Sequence, residues 1–565
     1  MIPEMLHPVR AGRSTRSVTL KLALAAAAVL FATTATEVQA QFDSGGYTSA
    51  DTPGARAHQS QEQTQQAQQR GLIPSATALG PVPELQVFAA VSLAETYTSN
   101  ASGSVGNSHD DFYTQPGIHL GFNEQTRRLT ASGDYSLTGQ YYARNHDFDQ
   151  LVHRLNAMAN AELLEQTLFM DAQAFAQPAS LTRAGALTAA DGTPTNNNYR
   201  DTYGFVVRPT LMHQFGNAVE TDLWFSQSGI YFVTPNSANT VALPGFFREP
   251  SNSNTSSVGA RISSLDDFVR FRWSINGSAS DTYQPSHISQ KVRSATANVS
   301  YAVTNSVALI ATGGYQVFHS SYLLNKDLDG PTLLGGLQFI PSPDFSFYVQ
   351  AGTQNNFPTY IGSLQWSVSP LTTITASAND QVQTPQQQLL GNLQNPTGLP
   401  SPGGGLPGNP PPSPGINTPS GFLGDGLSID NSVYRYRRFN FDVQRSTERT
   451  NYGIAVYATL RDRLNDLPFN FLNTHEKTYG ISAIVQRHLR RDLVGGLTFT
   501  ASRADEFNGN DRILEGDVRL NYLASETLSF NALASVLQSR SDNLVGFSNG
   551  DRTDVRVTVG VTKSF

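Results

Sequence analysis

The chain has 565 residues, of which 39% are hydrophobic and only 15% charged, with a net charge of −7 and no cysteine. That charged fraction lies well below the roughly 25% of soluble domains, and the acidic balance excludes a nucleic-acid partner that needs a basic face. Without cysteine there are no disulfides, thiolate metal sites or lipidated N-terminus, and 46 Gly with 31 Phe and 21 Tyr suit strands and turns rather than helices.

In chain order, residues 1–40 read as a secretory signal peptide. Arg10, Arg13, Arg16 and Lys21 form its basic region, Leu22 to Ala32 its apolar run, and Val38-Gln39-Ala40 its small-residue cleavage site. The rival reading, a membrane anchor, is disfavoured because the run is too short to span a bilayer. The basic region is long, which points to a start downstream of Met1. Residues 41–85 hold a Gln-rich core between Gln59 and Gln69 and too few apolar residues to offset ordering entropy. They are expected to be a disordered periplasmic segment, with a short partner-binding helix as the alternative. The segment is also too short for the plug domain of an active receptor-type transporter.

From residue 86 onward the pattern has period two. Leu129, Ala131, Gly133, Tyr135, Leu137 and Tyr141 alternate with Thr130, Ser132, Asp134, Ser136, Thr138 and Gln140. Phe271, Trp273 and Ile275 alternate with Arg272, Ser274 and Asn276, and Leu514, Val518 and Leu520 with Glu515, Asp517 and Arg519. Such long amphipathic runs suit tilted strands with one face in lipid and the other wet. Tight polar turns fall near residues 124–126, 165–167, 216–217, 266–267, 304–305, 342–344, 369–370, 447–448, 490–492 and 525–526. Ten short turns imply eleven hairpins. The expected fold is therefore all-β: a transmembrane antiparallel up-and-down barrel over 86–565, of about 22 strands (18–26), with short periplasmic turns and long extracellular loops. The longest connection, residues 384–432, carries a Pro/Gly-rich tract and reads as coil, either an outer loop or a segment folded into the lumen. Aromatics near strand ends, Tyr141, Tyr142, Tyr231, Phe232 and Tyr522, are expected in interfacial girdles.

The final strand ends on Phe565, with Val557, Val559 and Val561 on the same face. An amphipathic strand closing on a terminal aromatic looks like the assembly signal of outer-membrane barrels, although Lys563 stands where a second apolar residue is usual.

No catalytic constellation emerges. The 11 histidines are scattered with no metal-binding spacing, His119 reads as a hydrated lumen side chain, and Asp505-Glu506 with Asn508 to Asp511 lacks the ordered ligands of a calcium loop. No cofactor and no metal are expected. The lumen-facing charges are the candidate pore lining: Arg128, Asp134, Arg154, Glu220, Asp222, Arg270, Arg272, Arg438, Asp442, Glu515, Asp517, Arg519 and Arg556. Pairing across strands, with no role in transport, explains the same residues equally well.

The stretch from Val91 to Asn100, the strand Asp134-Tyr135-Ser136-Leu137 and the terminal phenylalanine resemble the outer-membrane β-barrel porin family associated with exosortase and exopolysaccharide loci. The resemblance implies an outer-membrane barrel, often encoded near polysaccharide synthesis and export genes, with no assigned catalytic residues. The functional expectation is a passive channel, a porin without enzymatic activity, with exopolysaccharide as one cargo. The alternative is a structural or adhesion barrel with an occluded lumen, and a lipid or glycan hydrolase is a third reading. Expected partners are outer-membrane lipid, the barrel-assembly machinery, and a polysaccharide or small polar solutes, but no nucleic acid.

Overall fold

A computed structural model describes residues 85–103, 108–180 and 199–233, then 251–265, 268, 270–285, 288–321, 328–388, 432–464, 475–506, 509–543 and 550–565. The proposed signal peptide, the Gln-rich segment and most of the 384–432 loop lie outside the described residues. The strands are β1 (Leu85–Thr98), β2 (Asp111–Gln125), β3 (Leu129–Tyr142), β4 (Gln150–Leu164), β5 (Leu168–Ser180), β6 (Tyr199–Phe215), β7 (Val219–Val233) and β8 (Ser253–Ser264). They continue as β9 (Phe271–Gln284), β10 (Ile288–Ala302), β11 (Val307–Ser320), β12 (Gly330–Ser342), β13 (Phe345–Gln354), β14 (Phe357–Ser369) and β15 (Thr372–Gln383). After the long loop come β16 (Tyr434–Ser446), β17 (Thr450–Arg463), β18 (His475–His488), β19 (Leu493–Glu506), β20 (Gly509–Ser525), β21 (Leu528–Asn543) and β22 (Gly550–Ser564).

All belong to one 22-stranded antiparallel sheet in which each strand pairs with its neighbours in sequence. The first and last strands also pair, from Ala90 opposite Ser564 to Thr98 opposite Arg556, so the sheet closes on itself. Closure leaves no strand edge in the lipid, where an unpaired N–H or C=O costs several kcal/mol.

The ten short connections expected from the sequence all join an even-numbered strand to the next odd one, and so lie at one end, the periplasmic end. Three of them share one device. The hydroxyls of Thr126, Thr304 and Thr447 accept hydrogen bonds from the backbone N–H of Leu129, Val307 and Thr450, at 2.9, 3.0 and 3.0 Å. A threonine three residues before the new strand thus replaces the glycine a tight turn often needs. In the turn before β19, Arg490 holds the Asp492 carboxyl below the usual carboxylate range.

At the other end the connections are longer, with three exceptions. The β9–β10, β13–β14 and β19–β20 hairpins are short. Between β13 and β14 the turn consists of Asn355 and Asn356, both left-handed with φ of 50° and 65°. Two such residues in a row match the right-handed twist of a hairpin.

A strand of 14 residues such as β1 is about 46 Å long, and at a tilt of about 40° it stands about 35 Å tall, beyond the ~25 Å apolar band of an outer-membrane barrel. The outward face is apolar through the band, with Leu120, Ile118, Leu309, Ile454 and Val559 exposed. The inward face is polar. Val557 and Val559 point outward and the Phe565 side chain is exposed, its N–H bonded to the Ala89 carbonyl at 2.9 Å. Two girdle expectations are corrected. Tyr142 is buried and packs against Tyr113 inside the barrel, the rings tilted by 34° with centroids 4.8 Å apart, because period two turns it opposite to the exposed Tyr141. Phe232 likewise shares a face with the fully buried Ile230, opposite to Tyr231.

A repeated cross-strand pair fixes the register. Phe88, Phe122, Phe175, Phe205, Trp224 and Tyr457 each stand directly opposite a glycine on the following strand: Gly121, Gly133, Gly204, Gly229, Gly259 and Gly480. Each ring occupies the space a Cβ would need; at Gly480 that atom would lie 2.2 Å from the Tyr457 ring. The glycine gives up backbone stiffness and the ring covers the bare backbone in return.

Gly480→Leu is therefore expected to lower stability by about 1–3 kcal/mol through overpacking, read as a lower urea midpoint of the refolded barrel. Deleting Phe565 should impair insertion while leaving export across the inner membrane intact. Cell fractionation with a heat-modifiability gel checks this, and a normal amount of folded barrel would overturn the reading of the terminus as an assembly signal.

Candidate functional site

The wall of the lumen is the candidate site, and its two halves differ. Toward the periplasm many inward side chains are half-exposed, among them Thr130, Ser132, Asp134 and Asn276. Toward the extracellular mouth the inward side chains are buried on strand after strand: Thr98, Tyr113, Gln140, Thr202, Ile230, Thr282, Phe318, Tyr434, Glu476 and Asp511.

The sequence-predicted residues do not follow this division, since Glu220 and Asp222 at the start of β7 and Asp442 near the end of β16 are buried close to the periplasmic end. Glu220, Asp222, Asp442, Glu515, Asp517 and Arg556 are inward and buried. Arg519 pairs with Asp517 at 2.9 Å and Arg556 with Asp554 at 2.6 Å, while Tyr113 accepts a further hydrogen bond from Arg556 at 3.2 Å. Asp134 and Arg154 are half-buried on β3 and β4, and Arg272 is exposed at the start of β9. Arg128 and Arg270 lie in periplasmic turns just before β3 and β9, and Arg128 pairs with Glu165 at 2.8 Å. They belong to the rim rather than the wall, since the alternation that would point them inward begins only at the next residue. Arg438 sits over the Tyr436 ring at 5.0 Å, and Asp222 stands opposite Arg261.

The densest constellation was not among the predicted residues apart from Arg438. On the inward faces of β16, β17 and β18, Arg461 pairs with Glu476, each side chain only 1% exposed. Arg463 reaches Glu476 at 3.8 Å and donates to the Tyr434 hydroxyl at 2.8 Å. Both guanidiniums lie over the Tyr434 ring, at 4.3 and 5.4 Å, and Tyr434 meets Tyr436 edge-on. Three arginines, two tyrosines and a glutamate thus share one patch of buried wall. On the alternate face, Arg435 pairs with Asp380, also bonds the Pro358 carbonyl, and lies 5.0 Å over the Phe357 ring. Asp462 pairs with Arg437 at 2.5 Å and with His475 at 2.7 Å.

These pairs are tied to the low β13–β14 hairpin. Val292 of β10, Phe318 of β11, Leu328 before β12 and Val433 before β16 form a small apolar core, with Phe357, Val382 and Leu464 packed against it. β10 and β16 are not sheet neighbours, so this core joins distant parts of the rim where the wall between them is short.

The other candidates for chemistry are structural. His119 is buried, not hydrated: its Nε2 lies 2.9 Å from the Ser92 hydroxyl. Gly117 leaves the space for that contact, since a Cβ there would come within 2.4 Å of the same oxygen. Nδ1 of His119 makes no hydrogen bond, so no carboxylate orients the ring as a nucleophile's base requires. Among the described residues no group of His, Asp and Glu could hold a metal ion. Asn508 lies outside the described residues, and Asp505 pairs with Arg503 at 3.0 Å.

No family model matches the chain, and no curated protein matches it. Solved structures do. The FrpB iron transporter from Neisseria meningitidis (F3-3 variant) is 10% identical, with a TM-score of 0.45 over 85% of this chain and 82% of that one. The siderophore receptor PirA from Pseudomonas aeruginosa is 10% identical, with a TM-score of 0.36 over 86% and 81%. A point mutant of the ferric enterobactin receptor PfeA from the same organism, in complex with enterobactin, is 10% identical, with a TM-score of 0.43 over 85% and 81%. The likeness is one of fold.

The chain is an outer-membrane β-barrel. The expectation of a passive channel is corrected, and the occluded structural barrel fits no better: the solved barrels named above are described as an iron transporter, a siderophore receptor and a ferric enterobactin receptor. That expectation counted the inward charges as hydrated, whereas Asp517 and Arg556 are buried and held in ion pairs.

Glu476→Gln should cost about 3–5 kcal/mol by leaving the Arg461 charge buried without its partner. The urea midpoint of the refolded barrel measures this, and the double change R461M/E476M should recover part of the loss, since Arg463 still loses its contact with Glu476.

Proposed function

We propose that this barrel is a gated transporter that admits a polar, anionic ligand bound first at its extracellular mouth. The observation that supports this reading is the buried constellation of β16–β18, in which Arg438, Arg461 and Arg463 stand beside Tyr434 and Tyr436 with Glu476 as carboxylate partner. Guanidinium forks match carboxylate and phosphate oxygens in pairs, and tyrosine rings cover flat ligand surfaces. An incoming anion would compete with Glu476 for the two arginines, so that binding loosens the contacts that hold the mouth together. Iron chelates are the first ligands to test, because the barrels of similar fold are described as iron transporters and siderophore receptors. Kinship with the exosortase-associated barrels is proposed on residues 91–100, residues 134–137 and the terminal Phe565, without a cargo.

In planar bilayers the refolded barrel should show no steady conductance in the absence of ligand. Quenching of intrinsic fluorescence should report binding of ferric chelates or another anionic ligand. Arg463→Gln should weaken that binding about tenfold, the scale of one charge-assisted contact. Steady conductance without ligand, or equal binding of neutral and anionic ligands, would overturn the proposal.

A further inference from the structure

The register of the last strands places three arginines side by side on the outside of the barrel. Arg503 of β19 stands directly opposite Arg512 of β20, and Arg512 directly opposite Arg540 of β21. All three are exposed and share the outward face with Phe499, Leu514 and Val536. The row continues to Tyr479 on one side and Asp551 on the other.

The rows above and below give this line its place. The next outward row toward the periplasm is Ile481, Ala501, Leu514, Gln538 and Thr553, and the one after it is Ala483, Phe499, Gly516, Val536 and Val555. The next row toward the loops is Lys477, Asp505, Asn510 and Asp542. The arginines therefore stand where the apolar band gives way to the polar rim.

Like charges directly opposite one another on adjacent strands repel. The flanking carboxylates relieve this in part: Arg503 pairs with Asp505 at 3.0 Å, and Arg540 approaches Asp542 at 3.8 Å and Asp551 at 3.6 Å. The middle arginine has no such relief. Asn510 stands beside it in place of an acid, and among the described residues Arg512 makes no ion pair or hydrogen bond. Lys477 likewise makes none. Arginine is costly at a lipid-facing midplane but tolerated at the interface, and a row of three with apolar residues beneath it presents both features of an acidic lipid, a charged head and its chains.

The geometry points to a binding site for a phosphorylated lipid of the outer leaflet, its phosphate held by Arg512 with Arg503 and Arg540, and its acyl chains against Leu514, Phe499 and Val536. Arginine forks bind phosphate in two-point fashion, and a dianionic headgroup would cancel the repulsion along the row. The site is distinct from the lumen and does not depend on what the barrel transports.

The test uses the full barrel refolded in a neutral detergent, with diphosphorylated lipid A as probe and native mass spectrometry as readout. Lipid A should bind the unaltered protein, and Arg512→Gln should weaken binding about tenfold, the loss of one charge-assisted contact. The triple variant R503Q/R512Q/R540Q should abolish it, whereas Arg491→Gln, which removes the same charge from a periplasmic turn, should leave it unchanged. Heat-modifiability of each variant confirms folding. Equal binding by the folded triple variant would overturn the proposal, as would equal binding of a phosphate-free lipid A. Full displacement by equimolar inorganic phosphate would also overturn it, by showing a site for free anions rather than for lipid.

Discussion

Every backbone donor and acceptor that enters the membrane must find its partner within the protein, and the rest of this structure depends on that constraint. A sheet satisfies it only by closing. Closure fixes which strands are neighbours, which face of each is wet, and therefore which side chains meet in the lumen. The contacts between strands at the mouth, Arg461 with Glu476 and Arg556 with Tyr113, follow from this geometry as much as from the chemistry of the residues. The same register that seats Tyr457 over Gly480 brings Arg461 opposite Glu476 four residues along the same strand.

The wall is not uniform, and its unevenness follows from turn chemistry. Two consecutive asparagines between β13 and β14 make a hairpin that ends low. Beside it, the rims of β10, β11 and β16 gather into an apolar core, and Arg435 caps the hairpin by bonding Asp380 and the Pro358 carbonyl. A barrel of equal strand lengths would have no reason to build a hydrophobic core at a mouth that is otherwise polar. The core and the arginine–tyrosine constellation meet at the start of β16, where Val433 belongs to the first and Tyr434 to the second.

Much of the fold was legible because two physical signals are strong in this chain. Alternation with period two marks the strands, and short polar turns with a threonine or charged pair mark one end of the barrel, which gave the strand number. The mouth was less legible. Arg461 and Glu476 belong to different strands, and only the register makes them neighbours. The pattern Tyr434-Arg435-Tyr436-Arg437-Arg438 was visible, but its aromatic residues carry no sign of whether they meet lipid, water or one another. Tyr142 was misread for the same reason: adjacent aromatics at a strand end must face opposite ways, so only one can join the girdle. The expectation of passive transport came from a resemblance and from inward charges counted as wet. Several of those charges prove to be buried, and Asp517 and Arg556 are held in ion pairs.

The seam between β1 and β22 has a consequence of its own. β1 is in register with β2 along its whole length, from Leu85 to Thr98, but with β22 only from Ala90 to Thr98. The cylinder is thus joined unevenly: firmly at the extracellular rim, where Thr98 bonds Asp554 and Ser99 bonds Val555, and less completely below Ala90. Such a zip has a preferred direction of travel. If the wall ever parts to let lipid or a folding strand pass sideways, the short side of the seam is where the tear would start.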